Sequence, residues 1–243
     1  ERTPTARPLP RFWASESVVD EMFSAKNWQR SWIVGVRDVT NVNNERTAIA
    51  CFVPRVGILQ PLNAVSCRDA ETALFVVGAV NSFAVDYVAR QRFTGRHLNV
   101  TTFSQLPIPN PSADQLRIIR RSVLELAYWT VDLAPLAADC GWNGPPFRWN
   151  ENRRLHIRCE LDAAFFHLYL PADENGDWRQ AHKADGRSHD ETAEQLSELK
   201  RFFPTPRDAV DYIMSTFPIV RRKDEDAFGE YRTKRVIMEM YDA

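Results

Sequence analysis

The sequence contains little of what marks several common protein classes. Its 243 residues include only four cysteines, Cys51, Cys67, Cys140 and Cys159, and no two of them form a CxxC pair. This spacing fits none of the usual zinc motifs and is typical of free thiols in a reducing compartment, and a chain of this length does not need a disulfide framework. No run of 18 apolar residues is present, so we expect a cytoplasmic protein without a membrane-spanning helix. The N-terminal stretch also lacks the apolar core of a signal peptide.

Signatures of catalysis are missing as well. The sequence has no GxSxG, Walker A or GxGxxG motif, and its five histidines include no HxxxH pair. The string NGPPF at 143–147 separates the asparagine from the two prolines, unlike an amino-methyltransferase loop. Glu198, Leu199 and Lys200 match half of a nuclease motif but lie in a helical pattern, whereas such a site needs a strand to hold its metal. We therefore expect no catalytic residue, no metal site and no cofactor in this chain.

Positive charge is carried almost entirely by arginine. Of the 31 basic residues 26 are arginine and five are lysine, and the planar arginine fork suits phosphate groups and guanine. A GC-rich genome would produce the same bias. Residues 26–110 hold nine basic and five acidic side chains, a balance of +4, so the rest of the chain carries −5 of the overall −1. This asymmetry is compatible with an anionic partner for the first part.

The residue patterns predict an α+β fold with a small, mainly antiparallel sheet. After a proline-rich lead-in and a short helix at 15–25, residues 31–39 and 46–54 are rich in β-branched and aromatic side chains. The asparagine-rich segment 40–45 suits a turn, which makes the two segments a hairpin. A further strand is predicted within 57–67, and Pro61 places that strand at the sheet edge.

Helical periodicity dominates from residue 69 onward. Helices are predicted over 69–93, 112–137 and 151–170, near 191–203 and 206–215, and from 229 to the end. The apolar residues of 112–137 alternate at spacings of three and four, so this helix pairs with another helix of this chain or of a partner. We accordingly divide the sequence into a lead-in at 1–27, an α+β domain at 28–111 and a helical domain at 112–243, with a mobile polar insertion near 171–191.

One carboxylate interrupts the apolar stretch of the helix predicted at 151–170. Ile157, Leu161, Ala164 and Leu168 are expected to form its buried face, and Asp162 lies among them. A buried carboxylate needs a positive partner, and Arg158 lies one turn earlier. We interpret the pair as a contact that helps the helix pack.

An ordered series of motifs runs through the first half of the chain. Trp32 is followed by Arg37-Asp38, by the turn sequence NERT at 44–47, and by an apolar strand that ends at Pro54. The series continues with VNSFAVDYVARQRFTGRHLN at 80–99 and LPIPNPSADQLRIIRR at 106–121. In this order the chain resembles the C-terminal target-recognition region of type IIG restriction–modification enzymes and of the adenine methyltransferases of BREX and DISARM phage defence. The resemblance covers most of 28–243, and the insertion at 171–191 departs from it.

The resemblance implies a reader of DNA sequence. It places a catalytic adenine-specific methyltransferase domain, with its S-adenosylmethionine, upstream in the same polypeptide, so we expect this chain, which does not begin with Met, to be a fragment. The implied partners are double-stranded DNA, the upstream domain and other subunits of a defence system. The implied cofactor belongs to the upstream domain, and we expect no methyl transfer or DNA cleavage by this chain.

Eight side chains are the candidate DNA contacts. They are Arg37, Asn44, Arg46, Thr47, Arg90, Arg92, Arg96 and His97. Base contacts are expected at the hairpin turn and phosphate contacts at the arginines that end the helix. Two structural alternatives stay open, since Arg46 can brace the hairpin through Glu45 or Asp38, and Arg90 and Arg92 can simply cap a helix. The alternative function is a helical scaffold for protein–protein interaction, with an apolar strip along 116–133 as its docking face.

Overall fold

The computed structural model describes residues 2–6, 12–93, 95–185, 187 and 189–243, and these form an α+β fold. Parts of the predicted lead-in, residues 1 and 7–11, and positions 186 and 188 of the predicted insertion lie outside the described residues. The described strands are β1 Trp32–Arg37, β2 Ala50–Pro54 and β3 Leu62–Val65. The described α-helices are α1 Glu16–Ala25, α2 Ala70–Val80, α3 Phe83–Arg92, α4 Val100–Ser104, α5 Ala113–Ala127, α6 Ala134–Asp139, α7 Glu151–Tyr169, α8 Ala193–Phe202, α9 Pro206–Ser215, α10 Pro218–Phe228 and α11 Arg232–Tyr241. Short 3₁₀ turns occupy Val131–Leu133 and Lys183–Asp185.

The sheet confirms the predicted antiparallel hairpin and its edge strand. The strand order is β2-β1-β3, and β1 is antiparallel to both neighbours. Val34 pairs with Phe52 of β2 and with Val65 of β3. β1 lies in the middle and is buried from Trp32 to Val36, which its continuous apolar sequence explains. β3 begins directly after Pro61, so the residue without an N–H group precedes the edge strand.

The prediction of a single helix at 69–93 is wrong, because two helices, α2 and α3, meet there at a bend of 65°. The side chain of Asn81 ends α2 by donating to the carbonyl of Val77 at 2.9 Å, and it also donates to the carbonyl of Ala50 at 2.8 Å. Ser82 then caps α3 by accepting from the amide of Val85. Together α2 and α3 match the length and apolarity of a membrane span; among the described residues no single helix does.

The helix predicted at 112–137 is also shorter than expected. α5 ends at Ala127, and a break with a 3₁₀ turn separates it from α6. Its apolar seam packs inside the chain, where Ile119 and Val123 are buried in the same core as residues of α2 and α7. Gly78 of α2 permits this close approach, since a Cβ atom at that position would lie 2.9 Å from Cγ2 of Val123. The predicted helix partner is therefore within the chain.

Two hydrophobic cores share α7. The first core joins the sheet to α2, α5, α6 and α7, and the second joins α3, α7, α9 and α11. The predicted buried face of α7 is half right, because Ile157 and Leu161 are buried whereas Ala164 and Leu168 are only partly so. The opposite face contributes Phe166 to the second core. The division proposed at 111/112 stays a prediction, and the two cores do not follow it.

Two C-terminal features differ from the sequence-based expectation. α10 was not predicted, although Pro218 in its first turn and Gly229 after its end, with φ of 74°, are typical helix boundaries. The predicted insertion at 171–191 is tied to the fold at several points. Trp178 is buried and donates from Nε1 to the carbonyl of Phe203 at 2.8 Å.

Candidate nucleic-acid interface

The chain leaving β1 lies beside the chain that follows α3. Val39 and His97 form an isolated antiparallel bridge. The amide of Thr40 donates to the carbonyl of Arg96 at 3.0 Å, and the amide of Leu98 donates to the carbonyl of Asp38 at 2.7 Å. Leu98 is fully buried and anchors this pairing to the first core. The bridge brings together residues that are almost sixty positions apart in the sequence.

Three of the predicted contacts lie on this bridge and are exposed. They are Arg37, Arg96 and His97, which we call the bridge cluster. Nε of Arg37 donates to the carbonyl of Val39 at 2.7 Å. Nδ1 of His97 lies 2.7 Å from Oδ2 of the buried Asp38, while the imidazole itself is 61% exposed. The buried carboxylate thus orients an exposed imidazole. When Nδ1–H donates to Asp38, Nε2 of the neutral ring accepts a hydrogen bond, and only the protonated ring donates from both nitrogens.

Arg92 is also exposed, at the C-terminal end of α3. Its Nη1 atom lies 3.3 Å from Oε1 of Gln105, a long hydrogen bond between two exposed groups. Nothing else ties down this guanidinium among the residues that the structure describes. Arg92 therefore remains free to meet a phosphate group, as predicted.

The hairpin turn depends on Asn41, which is not among the eight predicted contacts. Oδ1 of Asn41 accepts from the amide of Asn43 at 2.8 Å, the bond of an Asx turn. Asn41 and Asn43 are exposed, whereas the predicted contact Asn44 is half-buried. The run of asparagines signals such a turn, but it does not show which amide points outward. The exposed amides at this turn are consequently those of Asn41 and Asn43.

Thr47 and Arg90 belong to a buried polar network. The carboxylate of Asp86 is fully buried and accepts from the amides of Thr47 at 2.7 Å and Ala48 at 2.6 Å. Nε of Arg90 donates to the same carboxylate at 3.0 Å, and its Nη2 donates to the carbonyl of Asn44 at 2.8 Å. Arg90 is only 10% exposed, so its donors bind the hairpin turn to α3. Neither residue is placed to reach DNA.

Arg46 points inward as well. Its Nη2 atom lies 3.2 Å from Oδ2 of Asp162 on α7, and its guanidinium stacks on the ring of Phe83 at 3.1 Å from the centroid. The ion-pair partner of Asp162 is therefore Arg46, and the expectation of Arg158 was wrong. Burial raises the pKa of the Asp162 carboxyl, and both the charge of Arg46 and the amide of Phe83 oppose that rise.

Neither predicted bracing partner of Arg46 is used. Glu45 pairs instead with Lys223 at 3.0 Å, and Asp38 pairs with His97. Arg46 thus joins the hairpin to a distant helix and not to the neighbouring strand. Of the eight candidates, Arg37, Arg92, Arg96 and His97 are exposed, and Arg46, Thr47 and Arg90 have structural partners.

No metal centre is present in the part of the chain that the structure describes, since no three His, Cys, Asp or Glu side chains come together there. All four cysteines are free. Glu198, Leu199 and Lys200 lie within α8, a helix and not a strand. The surface around the bridge cluster therefore consists of exposed arginines, an oriented imidazole and a turn with exposed amides.

Comparison with known proteins gave no match to a family model, a curated protein or a solved structure. The functional argument accordingly depends on the side chains themselves.

Proposed function

We propose that this chain is the DNA-recognition part of a restriction–modification or phage-defence DNA methyltransferase. The observation that carries the proposal is the bridge cluster, because pairing of Val39 with His97 brings the two chain segments that hold Arg37, Arg96 and His97 side by side, and all three residues are exposed. Guanidinium groups are the donors that phosphate oxygens and guanine edges accept from, and the oriented imidazole adds a further polar contact beside them. The catalytic domain and its S-adenosylmethionine belong, in this proposal, to the upstream part of the same polypeptide.

The hairpin turn supplies the second half of a reading surface. Thr40 immediately follows the bridge, and its hydroxyl donates to the carbonyl of Thr47 at 2.7 Å across the base of the turn. At the other side of the turn, Nη2 of Arg90 donates to the backbone carbonyl of Asn44. Asn41 and Asn43 therefore project from a turn whose backbone is fixed, and carboxamides suit the paired donor and acceptor of adenine. In this arrangement the bridge cluster positions the backbone of the duplex and the turn reads bases.

A modest affinity is expected of this chain alone. Its net charge is close to zero, and phosphate neutralisation supplies most of the binding energy of a DNA-binding protein at low salt. The upstream domain would contact the duplex as well and supply the remainder. The positive side chains of the bridge cluster are thus expected to act locally, within about 10 Å at 0.1 M salt.

Arg37→Ala and Arg96→Ala are each expected to weaken binding to every duplex sequence alike. Each removes one phosphate contact, so the slope of log K against log salt should fall by about one unit. Fluorescence anisotropy from low to physiological salt measures both quantities. Arg117→Ala on α5 is the control, because Arg117 is 73% exposed and pairs with Asp114 on the same helix. Salt slopes unchanged in both bridge variants would remove the cluster from the interface.

Asn43→Ala should instead relax one position of the recognition site in the full-length enzyme. Loss of a paired carboxamide contact costs about 1–3 kcal/mol for the cognate base only. Sequencing of methylated sites in cells that carry the variant gives the readout, with Asn152→Ala as the control, since Asn152 is exposed on α7 and belongs neither to the turn nor to the bridge. An unaltered site profile in the Asn43 variant would show that the turn does not read bases.

The alternative of a helical scaffold receives less support. Its predicted docking strip on α5 is covered by this chain, because Ile119 and Val123 are buried in the first core. Ile118 is 64% exposed on the other face of α5, as a single apolar residue. Isolated exposed apolar side chains are common on protein surfaces and do not indicate a partner.

A further inference from the structure

A cleft of about 450 Å³ lies between the outer strand β2 and the helices α2, α5 and α7. It is separate from the bridge cluster, and none of the exposed candidate contacts lines it. Its inner wall is apolar and includes Phe52, Val77 and Leu126. Its volume falls in the range of sites for small organic ligands.

The outer wall of this cleft combines tryptophan with arginine. Trp129 and Trp149 lie edge to face, with ring centroids 5.0 Å apart. Two guanidinium groups lie over Trp149, since their carbon atoms are 3.7 Å (Arg154) and 4.0 Å (Arg2) from its ring centroid, so Trp129 is the indole of this pair that is left for a ligand. Arg158 follows one turn later on α7 and also lines the cleft. A wall of this composition offers aromatic surface and positive charge side by side.

Carboxylates influence the arginines of this wall only from a distance: Glu151 and Glu125 act on Arg154 through their charge, but neither forms a direct ion pair with it. Glu151 pairs with Arg2, and Glu125 receives both donors of Arg153. Asp162 at the inner end of the cleft pairs with Arg46. Among the residues that the structure describes, neither Arg154 nor Arg158 has a carboxylate within 4 Å.

Two further features concern arginines of the cleft, one its positive charge and the other an N–H donor without an acceptor. Burial and the neighbouring charge of Arg158 lower the pKa of Arg154 to about 10, which means that its surroundings disfavour the positive charge. Nη1 of Arg46, which also lines the cleft, is buried without a hydrogen-bond partner in the described structure. A buried donor of this kind is rare in folded proteins and is usually met by a water, an ion or a ligand.

We propose that this cleft binds a nucleotide, with its base against Trp129 and the apolar wall and its phosphate on Arg154 and Arg158. Phosphate supplies the negative charge that the wall lacks, and arginine binds it through two donors at once. An aromatic base matches the remaining surface, which is too apolar for an inorganic anion alone. The nucleotide is either a free one or an unpaired one at the end of a strand, since both present the same base and phosphate.

Titration of the chain with AMP tests the proposal, with adenosine and inorganic phosphate as partial ligands. Saturable quenching of tryptophan fluorescence, confirmed by calorimetry, is expected for AMP. Adenosine and phosphate should each bind at least about tenfold more weakly, because each lacks half of the contacts. Competition between AMP and a short single strand with a 5′-phosphate distinguishes the two sources. If the strand displaces AMP, the cleft accepts the end of a strand; if it does not, the ligand is the free nucleotide.

The matched variants are Arg158→Ala and Arg153→Ala. Arg158 is exposed and unpaired in the described structure, so its removal should leave folding intact and weaken AMP binding by about tenfold or more, the value of one charged hydrogen bond. Arg153, five residues earlier on the same helix, lies outside the cleft and should leave AMP binding unchanged. No saturable binding of AMP, or equal AMP affinity in the wild type and in Arg158→Ala, would overturn the proposal. These outcomes are independent of duplex binding by the bridge cluster.

Discussion

Replacement of Asp86 by alanine is expected to lower the free energy of unfolding by about 3–5 kcal/mol, the range for breaking a buried charge pair. The carboxylate accepts the amides of Thr47 and Ala48 and the Nε donor of Arg90, and it is fully buried. Alanine leaves these donors without an acceptor and leaves the charge of Arg90 uncompensated in a site only 10% exposed. The hairpin would lose its link to α3.

Urea unfolding of the wild type and of Asp86→Ala, followed by circular dichroism, measures this difference. Asp114→Ala is the matched control, because Asp114 is 87% exposed and its ion pair with Arg117 spans one helical turn at the surface. Its removal should change the free energy of unfolding by less than about 0.5 kcal/mol. A loss below 1 kcal/mol in Asp86→Ala would show that the network contributes little to the fold.

Asp162→Ala should cost about 3 kcal/mol or more, since it leaves Arg46 as an unpaired charge at the inner end of the cleft. The alanine also removes the acceptor for the amide of Phe83, which donates to Oδ1 at 2.7 Å. Asp162→Asn is the informative intermediate, because its carbonyl oxygen can keep the bond to Phe83 while the charge is lost. The asparagine variant is therefore expected to fall between the wild type and the alanine variant in thermal unfolding.

Arg158→Ala tests which arginine stabilises Asp162. The ion pair of Asp162 in the structure is with Arg46, at 3.2 Å, and Arg158 is exposed. Removal of Arg158 should shift stability by less than about 0.5 kcal/mol, as for most surface positions. A loss as large as that of Asp162→Ala would instead assign the pair to Arg158, as helical spacing alone had suggested.

The error over Asp162 shows what local spacing cannot predict. Arg158 is the nearest basic residue along the helix, and an i to i+4 pair is the simplest partner. Arg46 is more than a hundred positions away in the sequence, so only the tertiary fold could bring it there. For the same reason Arg46 was predicted to act outward at the turn, although its side chain crosses under the hairpin to α7.

The parts of the fold that were predicted correctly depend on short-range pattern. The hairpin follows from two β-rich segments around an asparagine-rich turn, and the edge strand follows from Pro61. The break between α2 and α3 was missed because the apolar periodicity continues through Asn81 and Ser82. The hydrogen bonds of these two side chains nevertheless end one helix and begin the next. The bridge cluster was only partly predictable, since its residues could be selected by type but their meeting depends on the pairing of Val39 with His97.

The sharing of α7 between both cores determines how separable the two halves of this protein are. One side of this helix contacts residues of the sheet and of α2 and α5, while the other holds Phe166 among residues of α3, α9 and α11. A cut at residue 111 would consequently separate side chains that pack in one core. A chimera that tests the proposed DNA recognition would need to carry the facing side chains of α5 and α7 together with the hairpin, or else transplant only the turn between β1 and β2.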